Sequence, residues 1–297
     1  LSAEGYIETA TPDDADLALL HGPLGVVPMA HIHFDLNGRR PSWDDFDDFD
    51  LITAYGAPGP QAPEAGRLGE VHRVLSARFL VTLHRDPCPA LEEAAQEPAH
   101  THEDAGPAAA LHRAVDVLVE SLLPVISELD ARGDELADAV LDNASRGTER
   151  QILDLRRQVI ALRRVALPQR DMIGRLAEAD DEDIPGMTVV ISRRLRGDYE
   201  RMVRMVDALD GTRDAAQAAT DVYLGMVNNR LNAVMKQLTV LAGIFLPLTF
   251  LTGFFGQNFA WMVDHVTGGW AFALLGLVLP VVMAAALWTF FRRRHWL

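Results

Sequence analysis

Cysteine is nearly absent from this 297-residue chain. Cys88 stands alone, which excludes a disulfide within the chain and suits a reducing compartment. Basic residues are also scarce, 27 Lys and Arg against 42 Asp and Glu, for a formal net charge of -15. Such a polyanion argues against nucleic acid as a partner and fits attraction of cations, although simple solubility explains the charge equally well. No G-x-x-x-x-G-K-[ST] loop is present, so a nucleotide-driven pump is not expected. No secretory leader precedes the acidic region, and because the sequence opens on Leu1 rather than Met, further residues are expected ahead of it. The most uneven shortage is of charge itself. Between Leu238 and Phe291 there is no Lys or Arg, and Asp264 is the only carboxylate.

That uncharged region holds two apolar runs. The first, Leu238 to Phe259, closes on the polar tripeptide Gly256-Gln257-Asn258, and the second extends from Gly269 to Phe291. A helix needs about 20 apolar residues to cross a bilayer core of about 30 Å, so both runs are long enough. The reading is a C-terminal hairpin in the lipid bilayer, residues 238–297, with spans at 238–257 and 269–291. Lys236 precedes the first span and Arg292-Arg293-Arg294 follows the second, which puts both flanks, and hence both termini, in the cytoplasm. Trp261 and Trp270 then fall at the outer interface, with Trp288 and Trp296 at the inner one, as aromatic belts require.

Ahead of the hairpin the chain reads as three segments. Residues 1–106 are of mixed α/β character. Leu24 to Leu36 suggests two short strands, Ala77 to His84 a further strand, and Glu97 to Pro107 a loop. In the acidic-aromatic run Ser42 to Asp50, Ser42 is placed to cap a short helix with acids in its first turn. Residues 107–186 carry two helical patterns, Leu111, Val115, Leu118, Leu122, Val125 and then Ile152, Leu155, Val159, Leu162, Val165. These predict an antiparallel pair, kinked or split at Pro124, broken at Gly147 and ended by the acidic turn Ala179 to Gly186. From Thr188, helical character extends without a proline into the first span, so residues 187–237 form a stalk continuous with it. Taken to Gly256 the helix would be about 100 Å long.

Stepping by three and four along this helix from Asp221 gives Gly225, Asn228, Asn232, Met235, Thr239, Ala242, Leu246, Thr249, Gly253 and Gly256. This is the 3.5-residue coiled-coil period. The stripe is polar or small at most positions, with Val240, Ile244, Phe245, Phe250, Phe254 and Phe255 on its flanks. Small residues favour close helix packing in membranes, which is one reading of the stripe. Asp221, Asn228 and Asn232 fit neither lipid nor a core, so the preferred reading is a pore wall built from several copies of the helix.

Four motifs carry a resemblance to a known family: Asp221-Val222-Tyr223-Leu224, Asn232-Ala233-Val234-Met235-Lys236, Phe245-Leu246-Pro247-Leu248-Thr249-Phe250 and Gly253-Phe254-Phe255-Gly256-Gln257-Asn258-Phe259. Together with the basic end Arg292 to Leu297 they resemble the CorA/ZntB family of divalent-cation transporters. The resemblance is dense over residues 220–297, looser around Ala166-Leu167-Pro168-Gln169-Arg170, and rests mainly on Leu80-Val81-Thr82-Leu83-His84 in the N-terminal part. It implies an α+β membrane protein that assembles as a homopentamer: an α/β/α cytoplasmic domain, a long stalk helix lining the pore, and an outer ring of second helices. It implies that Gly256, Gln257 and Asn258 form the cation entry at the outer mouth. It also implies hydrophobic gates at Met235, Leu238 and Leu246 and polar pore positions at Asp221, Asn232 and Thr249, beside Asn228, Thr239 and Gly253 of the stripe. The function implied is passage of Mg²⁺ or Co²⁺ across the cytoplasmic membrane, or, as the alternative, of Zn²⁺ with or without coupled protons. No enzymatic role and no cofactor is expected, only the transported cations.

Three departures from the family pattern bear on the cation. Gln257 stands where Met is usual, and the bend between the spans offers only Asp264, with His265, where many members carry two or more acids. Gly197 falls where magnesium-type members have a regulatory aspartate, and Asp198 is next to it. Asp264, His265 and Asp198 are therefore the metal-ligand candidates outside the mouth. A remote alternative is a membrane-anchored metallohydrolase on the strand face His31, His33 and Asp35, whose i, i+2, i+4 spacing shares a side. His100, His102, Glu103 and Asp104 read as a solvated loop, His84 as structural, and the acids at 44–50 and 180–183 as surface.

Overall fold

The computed structural model describes residues 6–10, 38–46, 49–57, 68–84, 88, 91, 106–142, 144–257, 260–266, 268–294 and 296. Strands β1 (Tyr6–Ala10), β2 (Ser42–Phe46), β3 (Phe49–Gly56), β4 (Gly69–Ser76) and β5 (Phe79–His84) form one sheet in the order β1-β5-β4-β3-β2. β1 lies parallel to β5, and the other neighbours are antiparallel. Helices α1 (Pro107–Asp142) and α2 (Arg146–Glu178) follow, then α3 (Val189–Phe255), the short α4 (Ala260–His265) and α5 (Gly269–Arg293). Two compact units result, Leu1–Asp221 and Val222–Leu297.

The run Ser42 to Asp50 is not a capped helix. It makes β2 and the start of β3, turned back so that Trp43 pairs with Ile52 and Phe46 with Phe49. The Phe46 and Phe49 rings stack at 4.9 Å, and Trp43 Nε1 donates to Asp50 Oδ1 at 2.7 Å. Aromatic cross-strand pairs of this kind stabilise a hairpin, and they outweigh the local preference of acids for a first helical turn. Burial pushes the Asp50 carboxyl up to about 6, against the Trp43 hydrogen bond, which lowers it. The two strands expected within Leu24 to Leu36, and the His31, His33, Asp35 face with them, lie outside the described residues, as does the His100 to Asp104 loop.

The sheet is the middle of the soluble unit. Every residue of β3 and β5 is buried, so both faces are covered. One face carries Leu51, Val74, Phe79, Val81 and Leu83 in a single apolar cluster. The other faces the helices: Arg73, fully buried, donates from Nη2 to the Ala114 carbonyl of α1 at 3.0 Å. α1 continues through Pro124 as one helix of 36 residues. The break before α2 comes at Ser145 rather than Gly147, because the Ser145 hydroxyl caps the helix by accepting from the Thr148 N–H at 3.2 Å.

A polar contact ties α2 to the sheet. Gln169 is almost fully buried, and its Oε1 accepts from the Tyr55 N–H at 2.7 Å while its Nε2 donates to the Tyr55 carbonyl at 3.0 Å. β2 stops pairing at Ser42 opposite Thr53. The Gln169 amide thus supplies to Tyr55 what Arg40, two residues beyond Ser42 in the same register, would have supplied. Gln169→Leu leaves a buried N–H and C=O unpaired and is expected to destabilise the soluble unit by about 2–3 kcal/mol. Denaturant unfolding of the purified chain checks this, and a loss below about 0.5 kcal/mol would refute the role assigned to the amide.

Candidate functional site

The site is built on α3, whose surroundings change along its length. In the soluble unit, Ile191, Leu195, Asp198, Met202, Met205, Leu209, Thr212, Ala216 and Ala219 form a buried stripe at alternating steps of mostly three and four. Side-chain contacts clamp this half. Arg163 of α2 holds Asp210 through Nε at 2.6 Å and Nη2 at 3.2 Å, and the Thr212 hydroxyl donates to Asp130 of α1 at 2.8 Å. The Ser192 hydroxyl donates to the Ala177 carbonyl at 2.6 Å. From Val222 to Phe255 only Tyr223 and Val240 are buried.

In the second unit the faces of α3 separate by exposure. Gly243, Ile244, Pro247, Leu248 and Leu251 are half-buried, and a Cβ added at Gly243 would come within 2.8 Å of the Phe291 ring of α5. A small residue there lets the two helices approach closely. The opposite face is free. Asp221, at the end of the soluble unit, and Gly225, Asn228, Asn232, Met235, Thr239, Ala242, Leu246, Thr249, Gly253 and Gly256 are all exposed. Leu238, beside this stripe, is exposed as well. Large apolar side chains share the exposure, with Leu246 at 76% and Phe250 at 74%. An apolar surface of this extent marks contact with lipid or with other copies of the chain. Both α3 and α5 are long and apolar enough to cross a membrane.

The polar groups on the free stripe differ in what they leave available. The Thr239 hydroxyl donates to the Met235 carbonyl and that of Thr249 to the Phe245 carbonyl, each at 2.8 Å. Each hydroxyl thereby spends its proton on its own helix and presents oxygen lone pairs outward. Asp221 Oδ1 accepts from Gln217 Nε2 at 3.3 Å, one turn away. α3 closes with Gly256 N–H bonded to the Thr252 carbonyl at 3.0 Å and Gln257 N–H to the Phe254 carbonyl at 3.2 Å. Gln257 is exposed, and Asn258 lies outside the described residues. In the bend, His265 Nδ1 sits 3.0 Å from the Trp261 carbonyl and its ring stacks on Trp261 at 4.9 Å, while Asp264 is exposed. Among the described residues no three His, Cys, Asp or Glu side chains cluster as a metal site.

Asp198 sits apart from these, in the soluble unit. It is completely buried, paired through Arg201 with Asp116, and its Oδ2 lies 3.5 Å from His112 Nε2. Burial raises the Asp198 carboxyl to about 7, opposed by its hydrogen bond from Arg201. Burial lowers His112 below the usual histidine value, with Asp116 pulling the other way. The sequence reading did not find this cluster. Its signal was present as His112 and Asp116 one turn apart on α1 and Asp198 and Arg201 one turn apart on α3, but nothing local shows that the two turns face each other.

Residues 5–293 match the model of the family described as CorA-like Mg2+ transporter protein. The chain is similar to the cobalt/magnesium transport protein CorA of Thermotoga maritima, 30% identical over 63% of this chain, although the match spans only 52% of that protein. It is 31% identical to the zinc transport protein ZntB of Yersinia pseudotuberculosis over 65% of this chain and 58% of that one. Its fold is that of the CorA magnesium transporter from Methanocaldococcus jannaschii, with a TM-score of 0.84 at 21% identity over 98% of this chain and 91% of that one.

The buried cluster has a pH signature. A carboxyl that holds its proton more readily folded than unfolded contributes most to stability at low pH, and loses that contribution as pH rises from about 4 toward 7. His112 adds the opposite slope, lost as pH falls through about 6.5. Asp198→Asn removes the first effect and leaves the His112 imidazole in place. The variant's gain in thermal midpoint over the parent should therefore be larger at about pH 7.5 than at about pH 5. An equal difference at both would contradict the burial effect.

Proposed function

Because the chain belongs to the CorA-like Mg2+ transporter family, we propose that it moves a divalent cation across the cytoplasmic membrane through a pore shared by several copies, five by family analogy. The observation that carries this reading is the free face of α3. The stripe from Asp221 to Gly256 is exposed along its whole length, while the hairpin's own packing uses the other side of the helix. One hairpin cannot enclose a path for an ion, and closed cyclic symmetry is the default for identical subunits.

The chemistry of the stripe suits a hydrated ion. Mg²⁺ surrenders its inner waters reluctantly. Neutral oxygens of Asn258, the Gly256 carbonyl and Gln257 would accept hydrogen bonds from those waters at entry and hold the ion weakly enough to release it. Thr249 and Thr239 would offer hydroxyl oxygens further in, and Asn232, Asn228 and Asp221 the inner polar stations. Met235, Leu238 and Leu246 would form constrictions that close by excluding water. In this reading Lys236 and Arg292 to Arg294 hold both ends of the hairpin on the cytoplasmic side, and the acidic soluble unit lies there too. Asp264 adds one carboxylate per copy near the mouth.

A second reading, Zn²⁺ as the cargo, is favoured by the similar identities to the cobalt/magnesium and zinc relatives, 30% and 31%. Uptake of Mg²⁺, Co²⁺ and Zn²⁺ into proteoliposomes, with and without a pH gradient, separates the readings. Mg²⁺ flux indifferent to the gradient supports the first, and Zn²⁺ flux that persists in excess Mg²⁺ and follows the gradient supports the second. In either case Asn258→Ala should cut uptake by about tenfold or more, a loss of about 1.4 kcal/mol at the entry step. Undiminished flux of all three ions in that variant would remove the mouth from the mechanism.

A further inference from the structure

The soluble unit contains a basic cavity that cation transport does not use. It has a volume of about 920 Å³ and lies between the segment 38–41, the α2 turns from Ile160 to Pro168, and Arg213 of α3. Five arginines line it, Arg39, Arg40, Arg163, Arg164 and Arg213, with no carboxylate among the lining residues. This is a concentration of one sign of charge in a chain whose formal net charge is -15. Two of the five are neutralised from outside the wall: Asp210 holds Arg163 at 2.6 Å, and Asp214 holds Arg213 at 3.0 Å. Among the described residues, Arg39, Arg40 and Arg164 have no carboxylate partner. Glu70, on the sheet side, accepts from the backbone N–H groups of Gly38 and Arg39, at 2.8 and 3.3 Å, and lies 3.4 Å from His72 Nε2.

Arg39 is the unusual member. Its Nη1 is buried with no hydrogen-bond partner, although guanidinium donors almost never go unpaired inside a protein. Its position is imposed by the fold, because Tyr55 on β3 donates its hydroxyl to the Arg39 carbonyl at 2.5 Å and Glu70 holds the N–H on the other side. Arg39 as a whole is half-buried, and the unpaired inner nitrogen of this anchored guanidinium points to an anion that completes it. Arginine's planar donors match phosphate oxygens in a bidentate way. The cavity is also larger than a lone phosphate requires, near the top of the range of about 300–1,000 Å³ for small-molecule pockets. The remaining wall is largely apolar and includes Tyr55, Leu167 and Pro168.

We propose that this cavity binds a phosphate-bearing anion of the nucleotide class, its phosphates on Arg39, Arg40 and Arg164 and its base against Tyr55 and Pro168. The site is unrelated to a P-loop, since no glycine-rich turn or helix N-terminus contributes to it. It lies wholly within Leu1–Asp221 and stands whether or not the transport reading does.

Isothermal titration calorimetry on the full chain in nanodiscs, stripped of divalent metal, tests the assignment with ATP, ADP, pyrophosphate and orthophosphate in turn. Saturable binding of ATP or ADP, weakened by about tenfold or more in Arg39→Gln with Arg164→Gln and retained in Arg157→Gln, is the expected result. Arg164 is exposed, so Arg164→Gln alone keeps the fold and should still weaken binding by several-fold. ATP binding that exceeds pyrophosphate by about tenfold identifies the nucleotide, and equal binding identifies an inorganic polyphosphate on the same arginines. No saturable heat from any of the four at millimolar concentration, or an affinity unchanged in both variants, overturns the proposal.

Discussion

A helix satisfies its own backbone hydrogen bonds, and that property lets one segment serve two solvents. α3 runs from Val189 to Phe255 as a single helix of 67 residues. Its first half buys its place by side-chain burial, from Ile191 to Ala219, against the rest of the soluble unit. Its second half exposes apolar groups that water would reject, and no strand or loop could do the same in lipid without leaving N–H and C=O groups unpaired. The change comes within a few residues, where the buried stripe stops and the exposed one begins. Asp221, Asn228 and Asn232, all exposed, follow it along the helix.

The soluble unit explains how the first half of α3 is held. Apolar burial dominates, but the contacts that select one register are polar: Arg163 with Asp210, Thr212 with Asp130, and Arg201 between Asp116 and Asp198. The last of these is buried on one side only, since Asp198 is inaccessible while Arg201 and Asp116 reach solvent. Buried charge is costly unless paired, and pairing of this kind specifies an arrangement more than it adds stability. Asp198 thus has His112 and Arg201 as its partners in this structure.

Much of this architecture was legible in the sequence. The two spans, the long helix and the helical pair appear as runs and periods within a single stretch of chain, so composition and spacing suffice to find them. The family motif ending in Gly256-Gln257-Asn258 was legible for the same reason. The sheet was less so. β3 escaped notice because burial on both faces erases the alternation that marks a strand, while β4, GEVHRVLS, alternates only in part. The acids of Ser42 to Asp50 suggested a helix start, and what decides otherwise is the folding of the run back on itself, Phe46 against Phe49, and onto Ile52 beyond it, which Trp43 faces.

The sequence by itself determined that this chain of the CorA-like family carries a long helix with an apolar C-terminal part and a second apolar helix after it, because apolar length and a 3.5-residue period are properties of neighbours in the chain. Tertiary structure decided which face of that helix is left open, since only the approach of Phe291 to Gly243 shows which side the second span occupies. It decided that Asp198 is buried against His112, and that arginines from residues 39 to 213 converge on one cavity. Those outcomes depend on which turns of distant segments come to face each other, and packing sets that where local spacing cannot.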